Sequence, residues 1–421
     1  MFSELADILS SEAFIERSIA PVVVDAMQNA RAVALLGARQ AGKSTLARVL
    51  ASGPIPADYV TLDSDPVRAA AQADPDGFVA TLGRSTVIDE VQRAPDLLLA
   101  VKARLDRDRR RGQFLLTGSA NLRRIPAVAD ALPGRVDHLT LWPLTQGEIE
   151  GRREDFLDGL FDGKVPMLTD APVGRSEYAR RLLTGGFPES LTRTGAARAR
   201  FFESYVGSIL DRDLADAARV HDPGSVGTVP RLIAARSAAL ARYKTLGRDA
   251  GIDGKTAKSH IDVLERLFLV RVRRPWHANL GKRQVKAPKA YVADTGLLAG
   301  LIGIDEQRIH ADDGVAGALF ETFVATELER QASWSVAPLT FWHDREQERE
   351  VDIIAERTSG ELVGIEVRAS ATVRERDFQG LKHMRDQLGS RLRAGIVVYI
   401  GQRTLPFGER LFAVPLEGLW R

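Results

Sequence analysis

Gly37, Gly42, Lys43 and Ser44 satisfy the spacing G-x-x-x-x-G-K-[ST] within "LLGARQAGKSTLA", and that spacing is suited to holding phosphate. The loop follows the apolar run "RAVALL" and precedes the helical pattern "STLARVLA", the strand–loop–helix context the motif requires. Glycines let successive backbone N–H groups curl around an anion, and the start of a helix adds partial positive charge. Gly37, Ala38, Arg39, Gln40, Ala41, Gly42, Lys43, Ser44 and Thr45 are therefore expected to bind ATP. Lys43 should reach the β- and γ-phosphates, and the Ser44 hydroxyl should hold Mg2+.

A second pair of residues completes the chemistry. "STVIDEVQ" is a short apolar strand ending in Asp89 and Glu90. Asp89 is expected to hold the metal ion, and Glu90 to orient or deprotonate the attacking water. A glutamate directly after the metal aspartate points to hydrolysis rather than transfer to a small molecule. The strand "QFLLTGSA" ends in Thr117 and Ser119, where a hydroxyl could sense the γ-phosphate or the lytic water, or simply close a strand-end turn. Arg135 in "LPGRV" is read either as an arginine finger, stabilising charge on the transferred phosphoryl group, or as half of a surface salt bridge.

These residues need a sheet to bring them together. "RAVALLG", "DYVTLDS", "RSTVIDEV", "GQFLLTGSA" and "RVDHLTLWPL" alternate with helical stretches, which predicts a parallel α/β sheet. Residues 1–30 read as helices interrupted at Pro21, 31–150 as the ATPase core, and 151–245 as a helical connector. Within the connector, "GGFPE" (185–189) reads as a turn. The fold class expected is therefore α/β, with a P-loop core and further domains behind it.

At 421 residues the chain is long enough for roughly three domains. A 44% hydrophobic and 27% charged composition is that of a globular protein. A net charge of +2 gives no global argument for nucleic acid, so any such role must come from local patches. Without cysteine, disulfides, thiolate catalysis and Cys-ligated zinc are excluded. His221, His260, His310 and His343 lack metal-ligand spacing, and Trp276 and Trp342 read as core or interface aromatics. The acidic start "MFSELADILS" does not look like a signal peptide, and no run is long enough to span a membrane, so a cytoplasmic protein is expected.

"TLGRDAGIDGKTAKSHIDVLERLFLV" predicts a helix-turn-helix, with the turn at Gly251, a cap at Asp253, and Ala257, Ile261, Leu264 and Leu267 or Phe268 facing inward. Lys255, Thr256, Lys258 and Ser259 fall at the exposed start of the second helix. Arg271, Arg273, Arg274, Lys282, Arg283, Lys286 and Lys289 follow within a basic stretch free of acidic residues. Contact with duplex DNA through this surface is expected, against the alternative of a protein-contact module. Arg109 to Arg111 form a second basic run, read as a solvated helix face or a contact with a neighbouring subunit.

"GARQAGKSTL", "VIDEVQRAPDLL", "FLLTGSANL" and "LPGRV" closely resemble the AAA-type ATPases that carry a DUF4143 region behind the ATPase core. The resemblance continues through "LLTGGFPESL", "KAPKAYVADTGLLAGLIG", "LFETFVATEL" and "EREVDIIAE". It implies a winged helix over 246–312 and a restriction-endonuclease-like α/β domain over 313–421. "EREVDIIAE" followed by "LVGIEVRAS" resembles the hairpin of PD-(D/E)xK nucleases, which would place Asp352 and Glu366 at a Mg2+ ion with Glu321 or Glu327 beside them. Arg368 stands where that pattern has lysine, and arginine cannot serve as a tunable amine.

The expected function is Mg-ATP hydrolysis whose nucleotide state gates DNA binding or remodelling, with nucleotide-promoted homo-oligomers. Two other classes stand beside it: a nucleotide-dependent switch for a protein partner, and an ATP-gated nuclease.

Overall fold

The computed structural model describes residues 14–119, 134–171, 173–217, 223–277, 287–335, 337–344 and 349–421, without the side chains of 210–217, 223–227 and 343–344. The chain divides into two compact units, Met1–Leu144 with Arg266–Phe268, and Thr145–Glu265 with Leu269–Arg421.

The first unit is built on a five-stranded parallel sheet. Its strands are β1 (Ala32–Leu36), β2 (Asp58–Thr61), β3 (Thr86–Asp89), β4 (Phe114–Gly118) and β5 (Val136–Thr140), in the order β2-β3-β4-β1-β5. Every residue of β1, β3 and β4 is buried, as central strands covered on both faces require. The order separates β1 from β3 by one inserted strand, β4. Leu36 pairs with Gly118 and Thr61 with Asp89, so the loop after β1 and the acidic end of β3 share the carboxyl edge of the sheet. Helix α1 (Ala20–Asn29) carries Pro21 in its first turn. Proline there lacks only an N–H that has no helical partner anyway, so Pro21 starts a helix rather than breaking one. Helix α2 (Lys43–Ser52) buries Lys43, Leu46, Ala47, Leu50 and Ala51, one continuous helical face.

The second unit contains a helical pair and a mixed sheet. Helices α3 (Tyr243–Ala250) and α4 (Gly254–Arg266) are joined through Gly251, whose φ of 71° is the left-handed value that glycine adopts without cost. Asp253 Oδ1 accepts the N–H groups of Lys255 and Thr256 at 2.8 and 3.1 Å, capping α4. Two antiparallel strands follow, β6 (Val270–Arg273) and β7 (Lys289–Val292), with Arg273 opposite Lys289. The six-stranded sheet contains β8 (Leu339–Asp344), β9 (Arg349–Glu356), β10 (Leu362–Arg368), β11 (Leu392–Tyr399), β12 (Leu405–Pro406) and β13 (Leu411–Pro415). Its order is β12-β13-β11-β10-β9-β8, antiparallel from β8 to β10 and parallel from β10 through β11 to β13. Helices α5 (Asp313–Gln331) and α6 (Gln379–Leu388) lie in the same unit. Leu381 and Met384 of α6 pack with Val351, Ile354, Leu362, Val397 and Leu411 in one apolar core. Among the described residues, no helix is long and apolar enough to cross a membrane.

Candidate nucleotide site

The loop between β1 and α2 is held from two sides. Gly37 lies so close to the Leu141 carbonyl that a Cβ built on it would stand 2.1 Å from that oxygen. The buried Arg17 donates to the Ala41 carbonyl at 2.8 Å and the Trp142 carbonyl at 2.6 Å, fastening the loop from outside its own motif. Gln40 and Gly42 take left-handed φ values of 58° and 96°. Gly42 forms the N-cap of α2 without a side-chain cap, so the first amides of the helix remain available to an anion.

Lys43 is 4% exposed, and its Nζ donates to the Gly37 and Ala38 carbonyls at 3.0 and 2.8 Å. Burial pushes the ammonium down to about 8, against the smaller opposing influence of Glu90 and Asp89. A buried amine over a ring of backbone donors fits a polyphosphate, because the incoming negative charge favours its protonated form.

Asp89 is buried and receives four hydroxyls. Ser44 Oγ donates to its Oδ1 at 3.0 Å, Tyr59 to Oδ2 at 2.7 Å and Thr61 Oγ1 to Oδ2 at 3.4 Å, and Thr117 Oγ1 donates to Oδ1. A carboxylate can be buried at such a place only with this kind of satisfaction. Burial, and then the Asp89 carboxylate, push the Tyr59 phenol up, which keeps it a donor. Ser44 and Asp89 together present the oxygen ligands that Mg2+ prefers.

Glu90 leaves the strand with φ 58°, a left-handed value uncommon outside glycine. Its Oε2 is bonded by Gln92 Nε2, and Ser119 Oγ donates to it at 3.4 Å; Gln92 Nε2 also reaches Ser119 Oγ at 2.9 Å. The acidic pair thus splits in direction, Asp89 toward Ser44 and Glu90 toward Ser119.

The structure therefore gathers Gly37 to Thr45, Asp89, Glu90, Thr117 and Ser119 at one edge. Arg135 is not among them. It precedes β5, whose Val136 pairs with Ala32 while Thr140 pairs with Leu36, so it lies at the opposite end of the sheet, roughly 16 Å away along a five-residue strand. There its Nε bonds Asp106 Oδ1 at 2.5 Å and its Nη2 bonds Oδ2 at 3.0 Å. Tyr59, Thr61, Gln92 and Arg17 belong to the site although the motifs do not name them. The polar end of "DYVT", next to an acidic strand, is the one local signal for the first two.

In the second unit, Lys255, Lys258 and Ser259 are exposed at the start of α4, with Thr256 half-buried. Lys258 pairs with Asp262 at 2.6 Å. Ala257, Ile261 and Leu264 are buried, as are Leu267 and Phe268, which belong to the first unit. Arg271 bonds Glu329 at 2.6 Å, and the 4%-exposed Arg273 bonds the same carboxylate at 3.2 Å; Arg274 is exposed. Lys282, Arg283, Lys286 and His221 lie outside the described residues. Asp352, Glu366 and Glu321 converge, whereas Glu327 bonds Arg330 at 2.6 Å and accepts the Gln146 N–H at 2.9 Å. His260 is buried in α4 and His310 lies 3.5 Å from Glu306.

The sheet order, the loop and the paired acids are those of a P-loop ATPase fold. Residues 29–150 match the AAA domain family, 175–308 the domain of unknown function DUF8612, and 316–419 the domain of unknown function DUF4143. The chain is 31% identical over 395 residues to Uncharacterized protein Rv2008c of Mycobacterium tuberculosis, covering 93% of this chain and 81% of that one, and equally to Uncharacterized protein Mb2031c of Mycobacterium bovis. It belongs to the family of AAA-type P-loop ATPases that carry a DUF4143 region. Among solved structures, the Walker-type ATPase of Pyrococcus abyssi aligns at 16% identity over 69% of this chain and 97% of its own, with a TM-score of 0.43.

Proposed function

We propose that the first unit binds Mg-ATP and hydrolyses it to ADP and phosphate. The observation that carries this reading is the meeting of Ser44 and Asp89 at 3.0 Å beside the buried Lys43. Backbone amides from Gly37 to Thr45 and the Lys43 ammonium would hold the phosphates, and Ser44 and Asp89 would hold the metal. Bound Mg2+ would neutralise charge on the phosphates. Glu90, turned out of the strand and steadied by Gln92 and Ser119, would orient the water. Arg135, at the far end of the sheet, can reach a phosphate only in a neighbouring copy, which links that residue to a homo-oligomeric reading. Steady-state ATPase assays test the proposal: activity should require Mg2+ and be lost in Lys43→Ala and Glu90→Gln. Equal rates in all three proteins would overturn it.

A second reading, nucleotide-gated binding of duplex DNA, is favoured by the exposed Lys255, Lys258 and Ser259 at the start of α4. The pairing of Arg271 and Arg273 with Glu329 favours instead a switch that holds a protein partner. ATPase stimulation by duplex DNA that fades with salt and is lost in Lys255→Ala distinguishes the first from the second.

A further inference from the structure

The second unit gathers carboxylates that the nucleotide site does not use. Asp352 on β9 and Glu366 on β10 are 7% and 4% exposed, and Glu321 of α5 and Glu350 of β9 lie with them. Carboxylates converging from neighbouring strands are the usual means of holding a divalent cation for phosphodiester hydrolysis. The residues here do not fit that ion.

Lys289 of β7, 4% exposed, enters the cluster from another sheet. Its Nζ lies 2.8 Å from Glu321 Oε1, 2.5 Å from Glu350 Oε1 and 3.2 Å from Asp352 Oδ1. An ammonium has three protons, and three carboxylates receive them. The other Asp352 oxygen accepts the Val367 N–H at 3.0 Å. Tyr291 donates to Glu321 Oε1 at 3.0 Å. Arg368 Nη1 donates to Glu366 Oε2 at 3.3 Å while its Nε bonds Asp377 at 3.2 Å.

We propose that the Lys289 ammonium is the resident cation of this centre, standing where a divalent metal would sit. The second unit then performs no metal-dependent phosphodiester cleavage, and the cluster ties β7 to the six-stranded sheet. Lys289 is a fixed charge in this reading, and removing it should uncover the cation site beneath.

Mn2+ binding to the full-length chain, followed by the spin resonance of free Mn2+ without nucleotide, tests this. Any weak binding at the P-loop is common to all variants and cancels in the comparison. Lys289→Met, which keeps the aliphatic stem, should gain one Mn2+ per chain over wild type, and Lys289→Met/Asp352→Asn should lose it again. A folded Lys289→Met that gains no site would overturn the proposal. If that variant does not fold, wild type and Asp352→Asn decide the matter. Equal Mn2+ binding by the two supports the proposal, and loss of a site in Asp352→Asn shows that the native centre takes metal after all.

Discussion

Thr117 donates its hydroxyl to Asp89 and accepts the backbone N–H of Glu90 at 3.1 Å. One side chain of β4 thus holds the Asp89 carboxylate at the end of β3 and the backbone of Glu90 just beyond it, and it does so because β4 pairs directly with β3. Thr117 is fully buried. Its hydroxyl is therefore committed to positioning the acids, and Ser119, which also meets Gln92, is the hydroxyl that bonds the Glu90 carboxylate.

Thr117→Val keeps the shape and removes both bonds. A hydrogen bond to a charged group contributes about 1.5–3 kcal/mol, so the variant should lose stability of that order and most of its ATPase rate. Thr117→Ser should restore much of both. Thermal melts and turnover on the three proteins provide the comparison; a Val variant with full turnover would show that the acids are positioned without Thr117.

Lys43 sets a pH dependence. Its ammonium is lowered to about 8 by burial, and the protonated form is the one that attracts phosphate. ATP affinity should therefore be level below pH 8 and weaken above it, by at most about tenfold per pH unit for one proton. Lys43→Arg, which stays charged, should bind with no such slope whatever its absolute affinity. A fluorescent ATP analogue titrated from pH 6.5 to 9.5 measures both.

Gly37 admits no side chain. A methyl group there would stand 2.1 Å from the Leu141 carbonyl, so Gly37→Ala must push the loop away from β5. Overpacking of this kind costs about 1–3 kcal/mol, and ATP affinity should drop at least tenfold. Gly174→Ala, at a position with nothing within 4 Å, should leave ATP affinity unchanged and serves as the control for it.

Glu154 makes the second unit sensitive to alkali. It is 2% exposed, and its carboxyl is pushed up to about 8, first by burial and then by Glu327. Thr145 and Gly147 donate to it at 2.8 Å each, which moderates the rise. A folded value above the ordinary carboxyl value means that the folded chain keeps a proton the unfolded chain releases. The corresponding stability is present at low pH and lost as pH rises toward 8. The melting temperature should fall between pH 5.5 and 8.5, and Glu154→Gln should flatten that fall.

The sequence exposed the chemistry better than the geometry. The loop from Gly37 to Thr45 and the Asp89–Glu90 pair are local patterns, and the central strands β1, β3 and β4 are local apolar runs, so both were legible. The partners of Asp89 were not: Tyr59 and Thr61 reach it only because β2 pairs with β3, and strand order is not written in any short window. Arg135 failed to reach the loop for the same kind of reason, since the direction of β5 decides which end of the sheet it occupies. The basic stretch from Arg271 to Lys289 contains no acidic residue, which made it resemble a phosphate-contact surface. Its acidic partners lie outside the stretch, Glu265 just before it and Glu321, Glu329 and Asp352 32 to 63 residues further along the chain. The turn at Gly251 and the cap at Asp253, both local, were legible in full.

The most direct test of the account is the identity of the nucleotide retained after incubation with Mg-ATP and rapid removal of free nucleotide. Wild type should hold ADP, Glu90→Gln should hold unhydrolysed ATP, and Lys43→Ala should hold neither. A Glu90→Gln protein that converts bound ATP to ADP as fast as wild type would contradict the assignment of hydrolysis to this pair of acids.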